Sequence, residues 1–300
     1  MLFTPIKPML LQMGNNDEII DNPDWIYDIK WDGWRILLHK QGDRVEAYTR
    51  HGNNVTTKLP ELQEIGKSIQ THTAIIDCEG VVLRNGVSVF EDFAYRGRLS
   101  NTSKIEQATL DYPATFIAFD VIATDKPHLQ QPLVQRKEIL SSIIEPSSHI
   151  LVTPSIAGNG NNIFQLTKEK GMEGIVGKRS NSTYKTNHRS NDWLKFKHFK
   201  ITDAVILGYK ENPFTMLVGK QLSNGKYKAL ANMEFGFKPD EKTAFRKIAN
   251  QIVTKVEREM MWLEPILHCK VQYLEKTNSG MLRIASFKEF NFEMVPESIN

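Results

Sequence analysis

The chain has 300 residues, which fits two domains more readily than one core. Apolar residues make up 40% and charged residues 24%, as in an ordinary soluble globular protein, and no run approaches the ~20 apolar residues that a membrane span needs. A net charge of +3 excludes an argument for nucleic-acid binding from bulk charge alone.

The first two hundred residues mix short strand-like runs with helical patterns. Strands are predicted where apolar or alternating runs are bounded by Asp-Gly or Gly-Asp pairs. They cover 25–31, 34–39, 44–49, 74–83, 115–122 and 174–178. A helix is predicted to begin at Pro60, and further helices cover 132–144 and 162–170, the last one ended by Gly171.

The pattern changes near Lys200–Thr202. Further strands are predicted at 203–209, 215–220, 226–235, 266–274 and 282–287, with one helix at about 239–254. Five short strands around one helix are typical of a small OB-type barrel. We therefore predict an α+β protein, with an antiparallel-sheet domain at 1–199 followed by a small OB-type β-barrel domain at 200–300.

Neither the N-terminus nor the cysteines suggest export. The opening residues MLFTPIKPMLL lack a small-residue cleavage site, so we predict no signal peptide. Cys78 and Cys269 lie far apart, cannot form a zinc site alone, and are expected to be reduced thiols in the cytoplasm.

Positive charge is concentrated between Lys178 and Lys200, where a single acidic residue, Asp192, is found. The basic residues of this stretch are Lys178, Arg179, Lys185, Arg189, Lys195, Lys197 and Lys200. A solvated basic face is one interpretation, and a polyanion partner is the other.

The segment from Asp28 to Arg35 is the most informative. If it is a strand, Lys30 and Asp32 share one face and can form an ion pair, while Gly33 allows a tight turn. A lysine can also form a phosphoramidate bond to a nucleotide, but only when it is unprotonated. At a pKa of ~10.4 only about one lysine in a thousand is neutral near pH 7.4. We expect burial and neighbouring cations to lower the pKa of Lys30.

Residues 30–35, KWDGWR, resemble the KxDGxR signature of the covalent nucleotidyltransferases, which are DNA ligases, RNA ligases and mRNA capping enzymes. Companion elements follow in that family's order: TRHG at 49–52, IDCEG at 76–80, Phe119-Asp120, EGIVGK at 173–178 and WLKFK at 193–197. The flank FEDF at 90–93 with RGRL at 96–99 is similar to the ligase modules of bacterial end-joining enzymes and short phage ligases. The chain therefore resembles the ATP-dependent DNA ligases.

The resemblance implies roles in carrying AMP. Lys30 would be the nucleophile, and Ile29 beside it would belong to the nucleotide-binding set. Glu79 would accept a hydrogen bond from the ribose, and Phe119 would stack on the base. Glu173 would bind Mg²⁺, for which Mn²⁺ can substitute, because Mg²⁺ takes one or two protein carboxylates plus phosphate oxygens.

Further residues would bind phosphates. Lys195 and Lys197 are two apart on one predicted strand face, and by resemblance they contact the α-phosphate. Lys178 completes the EGxVxK element in the cofactor-binding set. Arg35 and Arg50 suit the 5′-phosphate of a nick, because a guanidinium binds phosphate bidentately and stays charged.

The function implied is sealing of nicked duplex DNA, with ATP as the AMP donor, by a cytoplasmic monomer recruited by an end-binding or repair protein and not attached to a membrane. Two cysteines leave no room for the four-Cys zinc finger of NAD-dependent ligases. The resemblance also implies that the OB domain covers the minor groove opposite the active site. Alternatives stay open: a capping-type or RNA-ligase nucleotidyltransferase, or a non-catalytic nucleic-acid-binding relative.

The chain departs from the family pattern in several places. Asp28 replaces the usual Glu two residues before the lysine, and Cys78 replaces the Gly of DGE. Residues 280–291 match GxLR and then lose the Arg-x-Asp-Lys element with which DNA ligases usually end. No catalytic role is carried over to Arg283 or Lys288.

Overall fold

Two mixed β-sheets make up most of the chain before His198 in the computed structural model, which describes residues 2–291. The strands are β1 (Leu10–Met13), β2 (Trp25–Ile29), β3 (Trp34–Gln41), β4 (Arg44–Thr49), β5 (Thr73–Arg84), β6 (Val87–Ser88), β7 (Ala114–Ala123), β8 (Ile150–Val152), β9 (Ser155–Ala157), β10 (Gly174–Arg179) and β11 (Arg189–Lys197). The helices are α1 (Leu62–Ser68), α2 (Phe90–Arg98), α3 (Thr102–Asp111), α4 (Leu133–Ile143) and α5 (Gly160–Glu169).

The first sheet has the strand order β1-β11-β10-β2-β9, and the second has the order β4-β3-β5-β7-β8 with β6 beside β5. Most neighbouring strands are antiparallel, as predicted. The pairs β1–β11 and β7–β8 are parallel, so the predicted antiparallel sheet is mixed at these edges. The α+β class is confirmed.

Apolar side chains between the two sheets form a core that borders the candidate site. Ile26 and Trp193 of the first sheet belong to one buried cluster with Leu37, Ile75 and Ile122 of the second. Because side chains alternate along a strand, the neighbours of Leu37 face the opposite way. That outer face is covered by residues of α1, α2 and α4, and α5 contributes to a cluster on the first sheet.

A buried ion pair holds α2 in place. The Arg96 guanidinium donates to both carboxylate oxygens of Glu61, at 2.7 and 3.0 Å, and both side chains are almost fully buried. Arg96 also donates to the carbonyl of Tyr112, and Glu61 accepts from the backbone N–H of Ala114. The RGRL flank, which resembles a ligase element, therefore contributes a structural residue that joins three segments.

We expect Arg96→Met to destabilise the protein by about 3–5 kcal/mol, because it leaves the Glu61 carboxylate buried without its cation. Arg98→Met is the matched control, since Arg98 is exposed on the same helix. Chemical denaturation at neutral pH measures both variants. Equal midpoints for Arg96→Met and the native protein would contradict this assignment.

From Phe199 onward the chain forms a second unit around one seven-stranded sheet. Its elements are β12 (Lys200–Glu211), β13 (Phe214–Gln221), β14 (Tyr227–Met233), α6 (Pro239–Ala249), β15 (Val253–Glu257), β16 (Met260–Leu263), β17 (His268–Tyr273), β18 (Glu275–Lys276), β19 (Leu282–Arg283) and β20 (Ser286–Asn291). β12 lies centrally, with β13 and β14 on one side and β16, β15, β17 and β20 on the other.

The pairings among the described residues do not close a barrel, so the predicted OB-type barrel is not confirmed. A backbone hydrogen bond from the Phe287 N–H to the Phe235 carbonyl joins the start of β20 to the segment after β14. Two predicted elements are also corrected. The predicted helix 239–254 ends at Ala249, and the predicted strand 282–287 is interrupted at Ile284, whose φ is 54°.

Two further expectations concern membrane-spanning segments and the two cysteines. Across the described residues, no helix combines the length and apolarity required to cross a membrane. Cys78 and Cys269 are buried free thiols. Cys78 lies within β5 and has no positive φ, so the replacement of Gly in the DGE element causes no backbone strain.

Candidate active site

Lys30 follows directly after β2. The strand ends at Ile29, so the predicted strand through Trp31 is wrong by two residues. The backbone N–H of Lys30 nevertheless donates to the carbonyl of Gly174 at 2.9 Å, next to the Ile29–Ile175 pair of β2 and β10. This bond fixes the backbone of Lys30 beside the start of β10.

Gly174 is required at that position. Its φ is +147°, and a Cβ built on it would lie 1.9 Å from the carbonyl oxygen of Phe196 in β11. A larger residue would therefore push β10 and β11 apart. Gly33 is also required by a close backbone contact, because a Cβ at this position would lie 2.1 Å from the Gly80 carbonyl oxygen. Its φ is not positive, so the predicted tight turn is not the reason for glycine here.

Glu173 lies between two lysines. Its Oε2 is 2.9 Å from the Nζ of Lys30, and its Oε1 is 2.5 Å from the Nζ of Lys197. The carboxylate side chain is only 3% exposed. Burial alone would raise the pKa of Glu173, but the two ammonium groups outweigh it and hold this pKa below its usual value.

The pKa of Lys30 is shifted in the direction opposite to the prediction. Burial lowers the pKa of Lys30, as expected, but attraction to Glu173, Glu79 and Asp32 outweighs burial, so this pKa is raised. The expectation of a lowered pKa is therefore wrong for the protein without nucleotide. Burial raises the pKa of Glu79 to about 7, with Lys30 opposing the shift and Glu173 adding to it.

A cavity opens beside Lys30, and its wall combines apolar, aromatic and charged side chains. Its wall contains Ile29, Lys30, Glu79, Phe119, Lys178 and Trp193, and we call it the inner cavity. Phe119 and Trp193 meet edge to face, with ring centroids 6.4 Å apart. The Nζ of Lys178 lies 4.4 Å from both centroids, so a cation faces both aromatic rings.

Asp28 lies at the wall of the inner cavity and is fully occupied. Its carboxylate is 2.7 Å from the Nζ of Lys178 and 2.9 Å from the Nζ of Lys137, and it accepts from the Ser155 hydroxyl at 2.6 Å. Burial alone would raise the pKa of Asp28, but the two lysines outweigh it and lower it. The shorter carboxylate at this family position thus reaches cations of its own chain. Burial lowers the pKa of Lys178 to about 8.

A second, larger cleft also begins at Lys30, and most of its charged residues are positive. Its charged wall consists of Lys30, Arg35, Arg50, Arg189, Lys195, Lys197 and Glu79, and we call it the basic cleft. Such an arrangement favours a phosphate-containing ligand. All ten residues predicted for the site either line one of the two cavities or, in the case of Glu173, contact a lysine that does.

The pKa of Lys195 lies below the ordinary value of a lysine. Burial, reinforced by Lys197, Lys30 and Arg189, lowers the pKa of Lys195 to about 8. The ammonium of Lys195 makes no hydrogen bond or ion pair with another residue in the part of the chain that the structure describes, so it is available to an anion.

We expect affinity for ATP to fall above pH 8, by up to ~10-fold per pH unit. A phosphate binds the protonated form of Lys195 better than the neutral form, so above this pH the lysine must take up a proton when ATP binds. Lys195→Arg is the matched control, since arginine stays charged and should flatten this dependence. Equilibrium titration of ATP from about pH 7 to pH 9.5 measures it. A parallel decline in both proteins would contradict the assignment to Lys195.

Arg35 lines both cavities, but most of its donors are already used. Its Nε and Nη2 donate to the two carboxylate oxygens of Asp77 at 2.9 and 2.6 Å, and Nη1 donates to the Met9 carbonyl at 2.5 Å. While this pair stands, Arg35 cannot bind a phosphate with its whole fork. Arg50 is exposed in the turn after β4 and keeps its donors available.

A sequence model of the family described as "ATP dependent DNA ligase domain" matches residues 8–197, which cover the whole of this site. The chain belongs to the ATP-dependent DNA ligase family. The relationship predicted from the motifs is confirmed, as is the classification of the chain as a DNA ligase.

Curated relatives of this ligase-family chain include a prophage protein and longer enzymes. It is 32% identical to the SPbeta prophage-derived DNA ligase-like protein LigB of Bacillus subtilis (strain 168), over 95% of this chain and 98% of that protein. It is 30% identical to the bifunctional non-homologous end joining protein LigD of the same organism, over 90% of this chain and 47% of LigD. It is 28% identical to a DNA ligase of Thermococcus fumicolans, of which it spans 57%. The chain thus spans about half the length of these two longer relatives.

Solved structures show the same fold. The ligase domain of LigD from Mycobacterium tuberculosis matches with a TM-score of 0.58 and 24% identity, over 98% of each chain. A Lig E DNA ligase matches with a TM-score of 0.66 and 19% identity, over 95% of this chain and 100% of that one.

The carboxylates near Lys30 were also compared with the donor set that a metal ion needs. No group of three or more His, Cys, Asp or Glu side chains that could hold a metal ion occurs within residues 2–291. Glu173 alone is therefore not a complete site. Mg²⁺ commonly takes one or two carboxylates and completes its shell with phosphate oxygens and water, so the buried Glu173 beside a phosphate-attracting cleft fits that mode.

Several residues of this ligase-family site were missed by the sequence analysis. Lys137 and Ser155 hold Asp28, while Tyr184 contacts Asp77 near Arg35. Arg189 lies in the basic run, and its position in the cleft could have been proposed from that charge. No local signal marks the others, because each acts across the fold on a residue more than 100 positions away.

Proposed function

We propose that this chain seals nicks with a 5′-phosphate and a 3′-hydroxyl in duplex DNA, with Lys30 as the residue that carries AMP. The observation that carries the proposal is the position of the Lys30 amine, where the aromatic inner cavity meets the basic cleft. A base can stack in the first and phosphates can bind in the second, so both halves of a nucleotide would converge on one amine.

Three phosphoryl transfers would follow. Neutral Lys30 attacks the α-phosphorus of ATP, a P–N bond forms, the bond to the β-phosphate breaks, pyrophosphate leaves, and the lysine proton passes to water in the open cleft. A 5′-phosphate oxygen of the nick then attacks the adenylyl phosphorus, and Lys30 leaves with a proton. Finally the 3′-hydroxyl attacks the 5′-phosphorus, gives up its proton and displaces AMP. Positioning and charge neutralisation dominate such transfers.

Residues of the site would bind the phosphates, the base and the metal ion that these transfers need. Lys195 and Lys197 supply positive charge to the phosphates, and Phe119 with Trp193 offers aromatic surface to the base. Glu173 would hold Mg²⁺, or Mn²⁺ in its place, which when bound offsets the charge of the triphosphate and draws the carboxylate's charge away from Lys30. Release of Lys30 from this ion pair would lower its pKa toward the neutral form.

The two units would have different roles in the reaction. We assign residues 1–199 to the adenylation domain and 200–300 to an OB-fold domain that contacts DNA. Their sequences support this, since the family match ends at residue 197, next to the boundary at His198. We further propose that the chain acts as a cytoplasmic monomer that an end-binding or repair protein brings to broken DNA; one relative is named for non-homologous end joining, which supports a role at broken ends.

The test is adduct formation. The protein is incubated with Mg²⁺ and either α-labelled ATP or α-labelled GTP, then digested, and the labelled peptide is identified by mass spectrometry. We expect AMP on Lys30 with ATP and little label with GTP. Labelling by GTP would favour the capping-type alternative, whereas no adduct with either nucleotide would leave a non-catalytic relative.

Sealing assays define the substrate. Nicked duplex DNA, the same duplex with RNA flanking the nick, and blunt double-strand ends are compared at equal salt. We expect the nicked DNA to be sealed fastest. Preference for an RNA strand would overturn the DNA assignment while leaving the adduct on Lys30 intact.

A further inference from the structure

The guanidinium of Arg35 keeps little freedom to bind a ligand. Besides its bonds to Asp77 and Met9, its Nη2 lies 3.4 Å from the Tyr184 hydroxyl. Four of its five N–H donors are used in this way, which leaves one hydrogen on Nη1 for an anion. A single remaining donor is useful only if its direction is fixed.

Tyr184 connects the groups that fix that direction. Its hydroxyl donates to an oxygen of Asp77 at 2.5 Å and accepts from the backbone N–H of Met9 at 3.2 Å. The ring is buried and packs edge to face on Trp193, with centroids 5.7 Å apart. Burial, reinforced by Asp77, raises the pKa of Tyr184, so the phenol stays protonated and remains a donor. One hydroxyl therefore contacts both partners of Arg35.

The N-terminal segment completes the arrangement. Met9 directly precedes β1, and Leu11 lies within it. The Met9 carbonyl accepts from Arg35, and the Leu11 carbonyl accepts from Arg189, the other arginine of the basic cleft that bonds to this segment. Between them, the N–H of Leu10 donates to the His188 carbonyl at 2.7 Å. Displacement of this segment would move both arginines.

We propose that Tyr184 is a positioning residue for Arg35: its hydroxyl fixes Met9 and Asp77, and through them directs the last Arg35 donor toward the 5′-phosphate of a nick. The inference rests on the proposed function in identifying the anion as that phosphate. Tyr184 itself need not touch the substrate.

The test compares two tyrosine-to-phenylalanine variants. Tyr184→Phe keeps the ring and removes the hydroxyl. Tyr48→Phe is the matched control, because Tyr48 is buried in the same core cluster and its hydroxyl bonds to the Phe3 carbonyl of the N-terminal segment and to Glu46, but not to Arg35 or Asp77. Thermal unfolding of both variants shows whether each one folds.

The first readout is binding to nicked duplexes with a 5′-phosphate or a 5′-hydroxyl, which requires no catalysis. We expect Tyr184→Phe to lose ~10-fold or more of the preference for the phosphate, and Tyr48→Phe to keep it. The second readout is single-turnover transfer of AMP from adenylated protein to the nick, which we expect to slow by ~10- to 100-fold in Tyr184→Phe.

The outcomes separate the inference from the proposed function. Retained phosphate preference in Tyr184→Phe, or equal loss in Tyr48→Phe, overturns the positioning role even if Lys30 carries AMP. Loss of preference confined to Tyr184→Phe supports the role even if no adduct forms on Lys30. If Tyr184→Phe does not fold, Asp77→Asn tests the link between the Tyr184 hydroxyl and Arg35, and a retained phosphate preference in Asp77→Asn overturns the proposal.

Discussion

Lys30→Ala is expected to abolish ATP-dependent labelling and sealing, with a loss on the order of 10⁴-fold or more, because no other amine stands where the two cavities meet among the described residues. The same variant should still close nicks that already carry a 5′-adenylate, since that last step breaks a bond on DNA and not on the lysine. Labelled-adduct and nick-closure assays on one preparation measure both results.

Two further variants sharpen the result. Lys30→Arg keeps a positive charge but cannot lose its proton, so it should fail in the same way as alanine. Lys40→Met is the control for removal of a buried lysine, because the Lys40 ammonium bonds to the Thr71 carbonyl and lines neither cavity. An adduct at undiminished rate in Lys30→Ala would place the nucleophile elsewhere.

Glu173→Gln is expected to give the second large effect. Glu173 attracts the Lys30 ammonium and raises its pKa, so a neutral glutamine should let burial lower that pKa. The neutral fraction of Lys30 then rises at any given pH, and the rising limb of the pH–rate profile moves to lower pH. The maximal rate should nevertheless fall by roughly 100-fold, because the proposed metal carboxylate is lost.

Single-turnover adduct formation from about pH 6 to pH 10, at several Mg²⁺ concentrations, separates the two effects. The limb reports the pKa of Lys30, and the Mg²⁺ requirement reports the carboxylate. Glu169→Gln is the control, because Glu169 is exposed at the end of α5. A limb that stays in place, or moves to higher pH, would show that Glu173 does not set the charge of Lys30.

The surroundings of Lys30 show which features of the site the sequence could predict. The KWDGWR segment predicted a nucleophilic lysine, and the later elements at 173–178 and 193–197 predicted its neighbours. Glu173, Lys195 and Lys197 do surround Lys30, because β10 lies between β2 and β11. What spacing could not predict was the balance of charges: three carboxylates near Lys30 raise its pKa although burial opposes them.

Arg35 and Asp28 show the opposite case. The sequence predicted Arg35 as a phosphate ligand, but Asp77, Met9 and Tyr184 take four of its donors. Asp28 matches a family position, yet Lys137 of α4 and Ser155 of β9 occupy its oxygens. These partners are distant in sequence and, apart from Asp77 in the IDCEG element, belong to none of the quoted motifs, so only the packing of the sheets brings them together.

The sequence by itself determined the family, the order of the site elements and the α+β class, because strand periodicity, turn residues and reactive side chains are local properties. Only the tertiary structure decided the strand order, the parallel edges and the partners of each charged group. Those depend on which distant segments meet in a buried environment, where a few ångströms decide whether a charged group is free for a ligand or already neutralised.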